Sequence, residues 1–294
     1  VRLRVYGSAE THTWIQKAAD LSGVGADAVR WIDTGPDQRL DLDALRSALE
    51  TDLAAGDRPF LVVGTGGSVS TGAVDDLPGL RSLCDEFALW FHVDGAYGGF
   101  AAAAPGAPAD LLGLRLADSV AVDPHKWLYA PLEAGCTLVR DPQALLNAFS
   151  YRPPYYSLEE EVINYFEHGI QNSRGFRALK LWLLLKQVGR AGYAQMIGED
   201  MDLARRFHAL VDGSAELEAF THGLSVTTYR YVPSDLAERV GEQAVESYLD
   251  ELNQAVQARL DREGRAFVSN AVVGGRYLLR MCIVNFRTSL EDIE

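Results

Sequence analysis

The chain has 294 residues, 48% of them hydrophobic, and a net charge of -14, enough for one large domain or two ordinary ones around a sizeable core. So acidic a balance argues against a polyanion such as DNA as partner, because nucleic-acid binding needs a basic face. No apolar run approaches the roughly 18 residues a membrane span requires, and the first residues read as a strand rather than a signal peptide, so a cytoplasmic protein acting on small molecules is expected.

Short β-branched runs alternate with helical patterns through the first half of the chain. Strands are expected at residues 2–6, 28–32, 60–64 and 89–93, and helices at 13–21, 42–53 and 76–87. This is the βα alternation of a largely parallel sheet. Strands at 119–122 and 136–139 follow, then a helix at 142–149. The stretch Tyr151-Arg152-Pro153-Pro154-Tyr155-Tyr156 interrupts regular structure and reads as a loop. Helices resume at 173–188, with Ser173 as N-cap, and at 193–210. A helix at 241–260 then lies between strands at 224–232 and 266–270, and a strand at 277–284 closes the set. The pattern predicts an α/β unit over residues 1–190 followed by a smaller α+β unit over 191–294. Cys84, Cys136 and Cys282 sit in apolar segments without metal-like spacing, so buried thiols are expected rather than disulfides or a metal site.

Asp94 ends the run Trp90-Phe91-His92-Val93-Asp94, and Lys126 stands one strand later in Asp123-Pro124-His125-Lys126-Trp127. Both fall at carboxyl ends of strands, where open α/β sheets bind ligands. A lysine that can hold an aldehyde as a Schiff base, with a carboxylate to keep a pyridine nitrogen protonated, is what a pyridoxal phosphate site needs. Scarcity sharpens the choice: there are four lysines against 23 arginines. Lys17, Lys180 and Lys186 lie in stretches of helical period, where a solvated or snorkelling side chain is the natural reading. Only Lys126 lies in a short connector. His92 shares the face of Asp94, which allows a hydrogen bond to Asp94 or a neighbour, and a satisfied core histidine is the competing reading.

These motifs carry a resemblance. His92-Val93-Asp94-Gly95-Ala96-Tyr97, Asp123-Pro124-His125-Lys126-Trp127, the turn from Thr65 to Asp75, Asn172-Ser173-Arg174-Gly175-Phe176-Arg177 and Leu279-Arg280-Met281-Cys282-Ile283-Val284-Asn285 resemble the group II pyridoxal-phosphate-dependent amino-acid decarboxylases, aromatic-L-amino-acid decarboxylase above all. The resemblance implies the fold-type I, aspartate-aminotransferase-like α/β architecture, a small C-terminal domain, and a homodimer. It also implies a preceding helical segment and a Gly-rich loop holding the cofactor phosphate, and no Gly-Gly-(Ser/Thr)-x-Ala-Asn stretch occurs here.

By the same resemblance, Lys126 binds the cofactor and Asp94 pairs with its ring nitrogen. Ala96 is small enough for the ring to lie flat, and His12 stacks on the opposite ring face. Thr65 and His125 approach the cofactor, and Asp123 stands where an asparagine contact is usual. Arg280 falls in a strand motif that holds a substrate carboxylate in some members, with a structural ion pair as the equal alternative. Tyr155 matches a loop tyrosine that returns a proton to the substrate carbon after carbon dioxide leaves, and phenylalanine there accompanies aldehyde synthesis. The implied reaction is decarboxylation of an L-amino acid, with aromatic substrates favoured by the loop tyrosine and by the small Gly95-Ala96 pair. Aldehyde synthesis or another lyase reaction on the same fold, and a non-catalytic binding subunit, are the alternatives.

Overall fold

The computed structural model of the protein describes residues 1–155, 162–264 and 266–294. Its first sheet runs in the order β2-β1-β3-β4-β5-β6, built from β1 (Leu3–Ser8), β2 (Val29–Ile32), β3 (Arg58–Thr65), β4 (Trp90–Asp94), β5 (Ser119–Val122) and β6 (Cys136–Val139). Neighbours are parallel except β5 and β6, which run antiparallel.

Helices α1 (Trp14–Leu21), α2 (Leu42–Ala54) and α3 (Leu77–Glu86) make the connections between strands. Two of them start where the sequence supplies a cap. The Asp41 carboxylate accepts from Asp43 N and Ala44 N, and that of Asp76 accepts from Gly79 N. Successive strand residues feed opposite faces: Tyr6 and Val62 join the cluster with Leu45, Leu77 and Leu80, whereas Val5 and Val63 join Ile15, Ala19 and Val29. Burial on both faces is what a parallel sheet covered by helices demands. Phe91 and Val93 of β4 pack into the α2–α3 cluster, so by the two-residue period of a strand His92 and Asp94 point to the α1 face.

The second sheet is antiparallel, in the order β7-β8-β10-β9, from β7 (Leu217–Gly223), β8 (Val226–Tyr231), β9 (Ser269–Val273) and β10 (Arg276–Cys282). Between β8 and β9 comes α7 (Gln243–Glu263). A fold-type I arrangement, a mostly parallel sheet followed by a smaller antiparallel one, is therefore present.

Four details depart from the sequence reading. Lys126 sits in a short helical turn, α4 (Pro124–Trp127), rather than an irregular connector; α5 (Pro142–Phe149) follows as expected. The helix expected from Ser173 begins at Arg177 as α6 (Arg177–Asp212), and Phe176 caps it without a side-chain bond. Gly189, with φ 71° and ψ 170°, divides α6 into two helical stretches, in line with the two helices expected there; a left-handed φ costs glycine least. The edge strand β7 has few β-branched residues and owes its form to pairing with β8. Of the cysteines, all free, only Cys84 is buried, and Cys136 and Cys282 are partly exposed. Among the described residues no helix is long and apolar enough to cross a membrane.

Candidate active site

Parallel pairing puts strand ends side by side: Thr65 is in register with Asp94, and Asp94 with Ala121. Asp94 is buried, and each of its oxygens has a donor. Ala96 N–H reaches Oδ1 at 3.1 Å and the Trp14 indole N–H reaches Oδ2 at 2.8 Å. The chain leaves β4 through Gly95, whose N–H donates to Ala121 O at 2.9 Å. A Cβ there would lie 3.2 Å from both that oxygen and Gly99 Cα, so the turn is tight enough to favour glycine.

Lys126 is placed by the end of β5. Asp123 N–H donates to Ala96 O at 3.2 Å, and Lys126 N–H to Asp123 O at 2.9 Å, which joins the two strand ends. Within this turn the Lys126 Nζ lies 3.1 Å from Asp123 Oδ2, with His125 Nε2 at 3.8 Å from the same oxygen. Trp127 is fully buried and donates its indole N–H to Asp200 Oδ2 at 2.8 Å, so the turn is anchored on α6.

A cavity of about 390 Å³ opens between these ends, lined by His12, Trp14, His92, Asp94, Ala96, Asp123 and Lys126 among others. His12 precedes α1 and its Nδ1 accepts Trp14 N–H at 3.2 Å. His92 bonds not Asp94 but Ser119, Nδ1 to Oγ at 2.7 Å, while the same Oγ accepts the Trp90 indole N–H at 2.8 Å. Burial pushes the His92 imidazole below its usual pKa, against the pull of Asp94. It is therefore neutral near pH 7.

The remaining candidates lie outside the lining of this cavity. Thr65 is buried beside it, its hydroxyl 3.4 Å from that of Thr11 and its N–H held by Asp75 Oδ2 at 2.7 Å. His125, one helical residue before Lys126, turns toward Ala134, with Nδ1 2.7 Å from its carbonyl oxygen, and lines a neighbouring cavity of about 770 Å³ with Tyr165, Arg174 and Arg177. Tyr155 is 80% exposed and lines a third cavity with Phe149 and Arg152; Tyr156 lies outside the described residues. Arg280 is on β10, in the second sheet, and donates from Nη1 to Ser269 Oγ at 3.0 Å. Tyr155 and Arg280 are carried by other elements than Lys126, whereas His125 shares its turn and lines the neighbouring cavity.

Trp14 and Asp75 were not anticipated. Trp14 reads as an apolar helix residue, and only its place two residues after His12 hints at a role. The Asp75 carboxyl is buried, with Leu40 N–H and Thr65 N–H on its two oxygens, and burial pushes it up to about 6.

A buried acid and a lysine on one cavity, at strand ends of an α/β sheet, agree with the model of the pyridoxal-dependent decarboxylase conserved domain, which matches residues 1–229. The chain belongs to the pyridoxal-dependent decarboxylase family. It is 34% identical over 294 residues to an aromatic-L-amino-acid decarboxylase of Bacillus atrophaeus, covering 98% of this chain and 60% of that protein. To a phenylacetaldehyde synthase of a Rosa hybrid cultivar it is 32% identical over 289 residues, covering 96% and 57%. Among solved structures, Oryza sativa TDC with PLP and tryptamine superposes with a TM-score of 0.91 at 32% identity, over 99% of this chain and 60% of that one. The chain thus spans about 60% of the length of the family members it matches.

Proposed function

We propose that the protein carrying this chain removes the carboxyl group of an L-amino acid as carbon dioxide, using pyridoxal phosphate, with aromatic amino acids as favoured substrates. The observation that carries this reading is that Asp94 and Lys126 line one cavity of about 390 Å³. The donor set fits the cofactor. Asp94 accepts one N–H on each oxygen, and a carboxylate oxygen has a second lone-pair site for a ring N–H. Ala96 puts only a methyl group beside it, and Lys126 supplies the amine.

When bound, the cofactor supplies an electron sink for the pair released as the bond from Cα to the carboxylate breaks. Lys126 is the residue that would hold it through Nζ, and Asp123, 3.1 Å away, keeps that amine oriented. The Asp94 carboxylate would accept from the ring nitrogen and preserve its positive charge. His12 would cover the ring opposite Ala96, with Thr65 and His125 near its periphery. A carboxylate at Asp123 suits the amine better than a phosphate, which it would repel. Tyr155 would deliver a proton to the carbon that has lost carbon dioxide, in its own or a partner subunit's site once the loop moves. Arg280, whose Nη1 donates to Ser269 Oγ, would hold either a substrate carboxylate or a structural contact. The reading includes a cytoplasmic homodimer, with the domain division near the Gly189 break.

The test uses the full-length protein. Wild type should show the absorption of lysine-bound cofactor and release amine and carbon dioxide from an aromatic amino acid, and Lys126→Ala should lose both. Intact protein with cofactor bound that yields no amine from any amino acid would sink the reading. A second reading, aldehyde synthesis, draws on relatives named phenylacetaldehyde synthase and 4-hydroxyphenylacetaldehyde synthase, at 32% and 29% identity. Oxygen consumption with hydrogen peroxide release marks that outcome.

A further inference from the structure

We propose that Trp14 is a positioning residue of this site, one side chain and one backbone N–H that together orient Asp94 and His12. The proposal rests on the cofactor reading above and adds a residue to it. Trp14 occupies the first position of α1, where a backbone N–H has no acceptor within the helix. That N–H goes to His12 Nδ1 at 3.2 Å. An imidazole that accepts at Nδ1 carries its proton on Nε2 when neutral, so the helix start selects the tautomer of the histidine lining the cavity.

The indole acts on the other group. Its N–H is a donor only, and it meets Asp94 Oδ2 at 2.8 Å, within the range of a charge-assisted bond. Oδ1 is held at the same time by Ala96 N–H at 3.1 Å. With a donor on each oxygen, rotation of the carboxylate costs a bond. The Ala96 donor belongs to the turn that Asp94 itself begins, whereas Trp14 comes from a different element. Its ring packs on the Val5, Ile15, Ala19, Val29 and Val63 cluster and meets the His92 ring edge-on at 5.9 Å. The indole therefore transmits the position of α1 to the acid at the end of β4.

Trp14→Phe keeps a six-membered ring on the cluster and removes the side-chain donor together with the smaller indole ring. In cofactor-free protein with isotope-labelled indole nitrogens, the resonance lost in Trp14→Phe should be the one shifted by Asp94→Asn and left in place by Asp123→Asn. In the full-length protein, equilibrium dialysis should show pyridoxal phosphate binding weakened about tenfold by Trp14→Phe, with little further loss when the change is made on Asp94→Asn. Circular dichroism should show both variants folded. An indole resonance that ignores Asp94→Asn, or losses that add in the double variant, would overturn the positioning role. Failure of the underlying cofactor reading is distinguishable, because unaltered protein would then bind no pyridoxal phosphate whatever the indole resonance did.

Discussion

Tyr97 and Trp127 stack with ring centroids 4.8 Å apart and planes 10° apart, which ties the segment after Asp94 to the segment after Lys126. Each ring is held at its polar tip. The Tyr97 hydroxyl lies 2.7 Å from Ser225 Oγ and accepts Ser225 N–H at 3.0 Å, while Trp127 donates to Asp200, as does the Tyr129 hydroxyl at 2.8 Å. The spacing of the acid and the lysine is thus set by a contact between their neighbours, anchored on α6 and the second sheet.

Removing Trp127 should therefore be costly twice over. Trp127→Ala deletes a fully buried ring and is expected to lose about 3–5 kcal/mol of stability. Trp127→Phe keeps a six-membered ring against Tyr97 but loses the N–H to Asp200 and the volume of the smaller indole ring, for about 1–3 kcal/mol. Urea unfolding measures both. Equal losses for the two variants would show that the indole donor, not the stack, carries the effect.

Glu246 should govern acid stability in the second unit. Arg230, its side chain fully buried, pairs with Glu218 at 2.7 Å and with both oxygens of Glu246 at 2.7 and 3.1 Å. That guanidinium, foremost among several partners, holds the Glu246 carboxyl down to about 2 from its ordinary 4.5. A depressed folded value means the stabilisation is complete above about pH 4.5 and is lost as pH falls toward 2. Glu246→Gln should cost about 3 kcal/mol at pH 7 and flatten the loss of thermal stability between pH 4.5 and 2. A variant as acid-sensitive as wild type would exclude this pair as the cause.

Asp75 should act in the opposite sense. Burial raises its carboxyl from 3.8 to about 6 in the folded protein, so the native state binds the proton more tightly than the unfolded chain does. Its contribution is complete below pH 3.8 and is lost as pH rises through about 6. From this group the protein gains stability on going from pH 7 to pH 5. Asp75→Asn removes that gain and leaves the Leu40 or Thr65 N–H without an acceptor, costing about 1–3 kcal/mol at pH 5. Urea midpoints at the two pH values check it, and an unchanged difference between them would count against the assignment.

The mostly parallel α/β architecture and the placement of Asp94 and Lys126 at or just beyond strand ends were legible because they rest on local signals: alternation of strand and helix, strand-end position, and motif spacing. Ser119–Val122, Cys136–Val139 and Pro142–Phe149 match the expected bounds residue for residue. Contacts made across the fold were not legible. Trp14 reaches Asp94 over 80 positions and Tyr97 reaches Ser225 over 128, and no periodicity encodes such a meeting. His92 is instructive: its face was readable from the strand period, but its partner, Ser119, belongs to a neighbouring strand whose register only pairing fixes.

Tyr155 gives the sharpest test of the chemistry. The segment leading to it is fixed at its base, because the buried Glu167 carboxylate accepts from Ser150 Oγ and Arg152 Nε, each at 2.6 Å, and is held down to about 2, by Arg152 foremost. The tyrosine itself is 80% exposed and lines a different cavity from the one Lys126 lines. Tyr155→Phe should leave cofactor absorbance and binding intact, since no cofactor-facing residue changes, while amine formation falls by about a hundredfold, as loss of a general acid does. Oxygen uptake and peroxide should rise in its place, the carbon left without its proton donor being open to oxidation. Glu167→Gln, which loosens the base without touching the phenol, should lower amine formation without producing peroxide. If Tyr155→Phe makes amine at the wild-type rate with no peroxide, the proton comes from another group and the loop assignment fails.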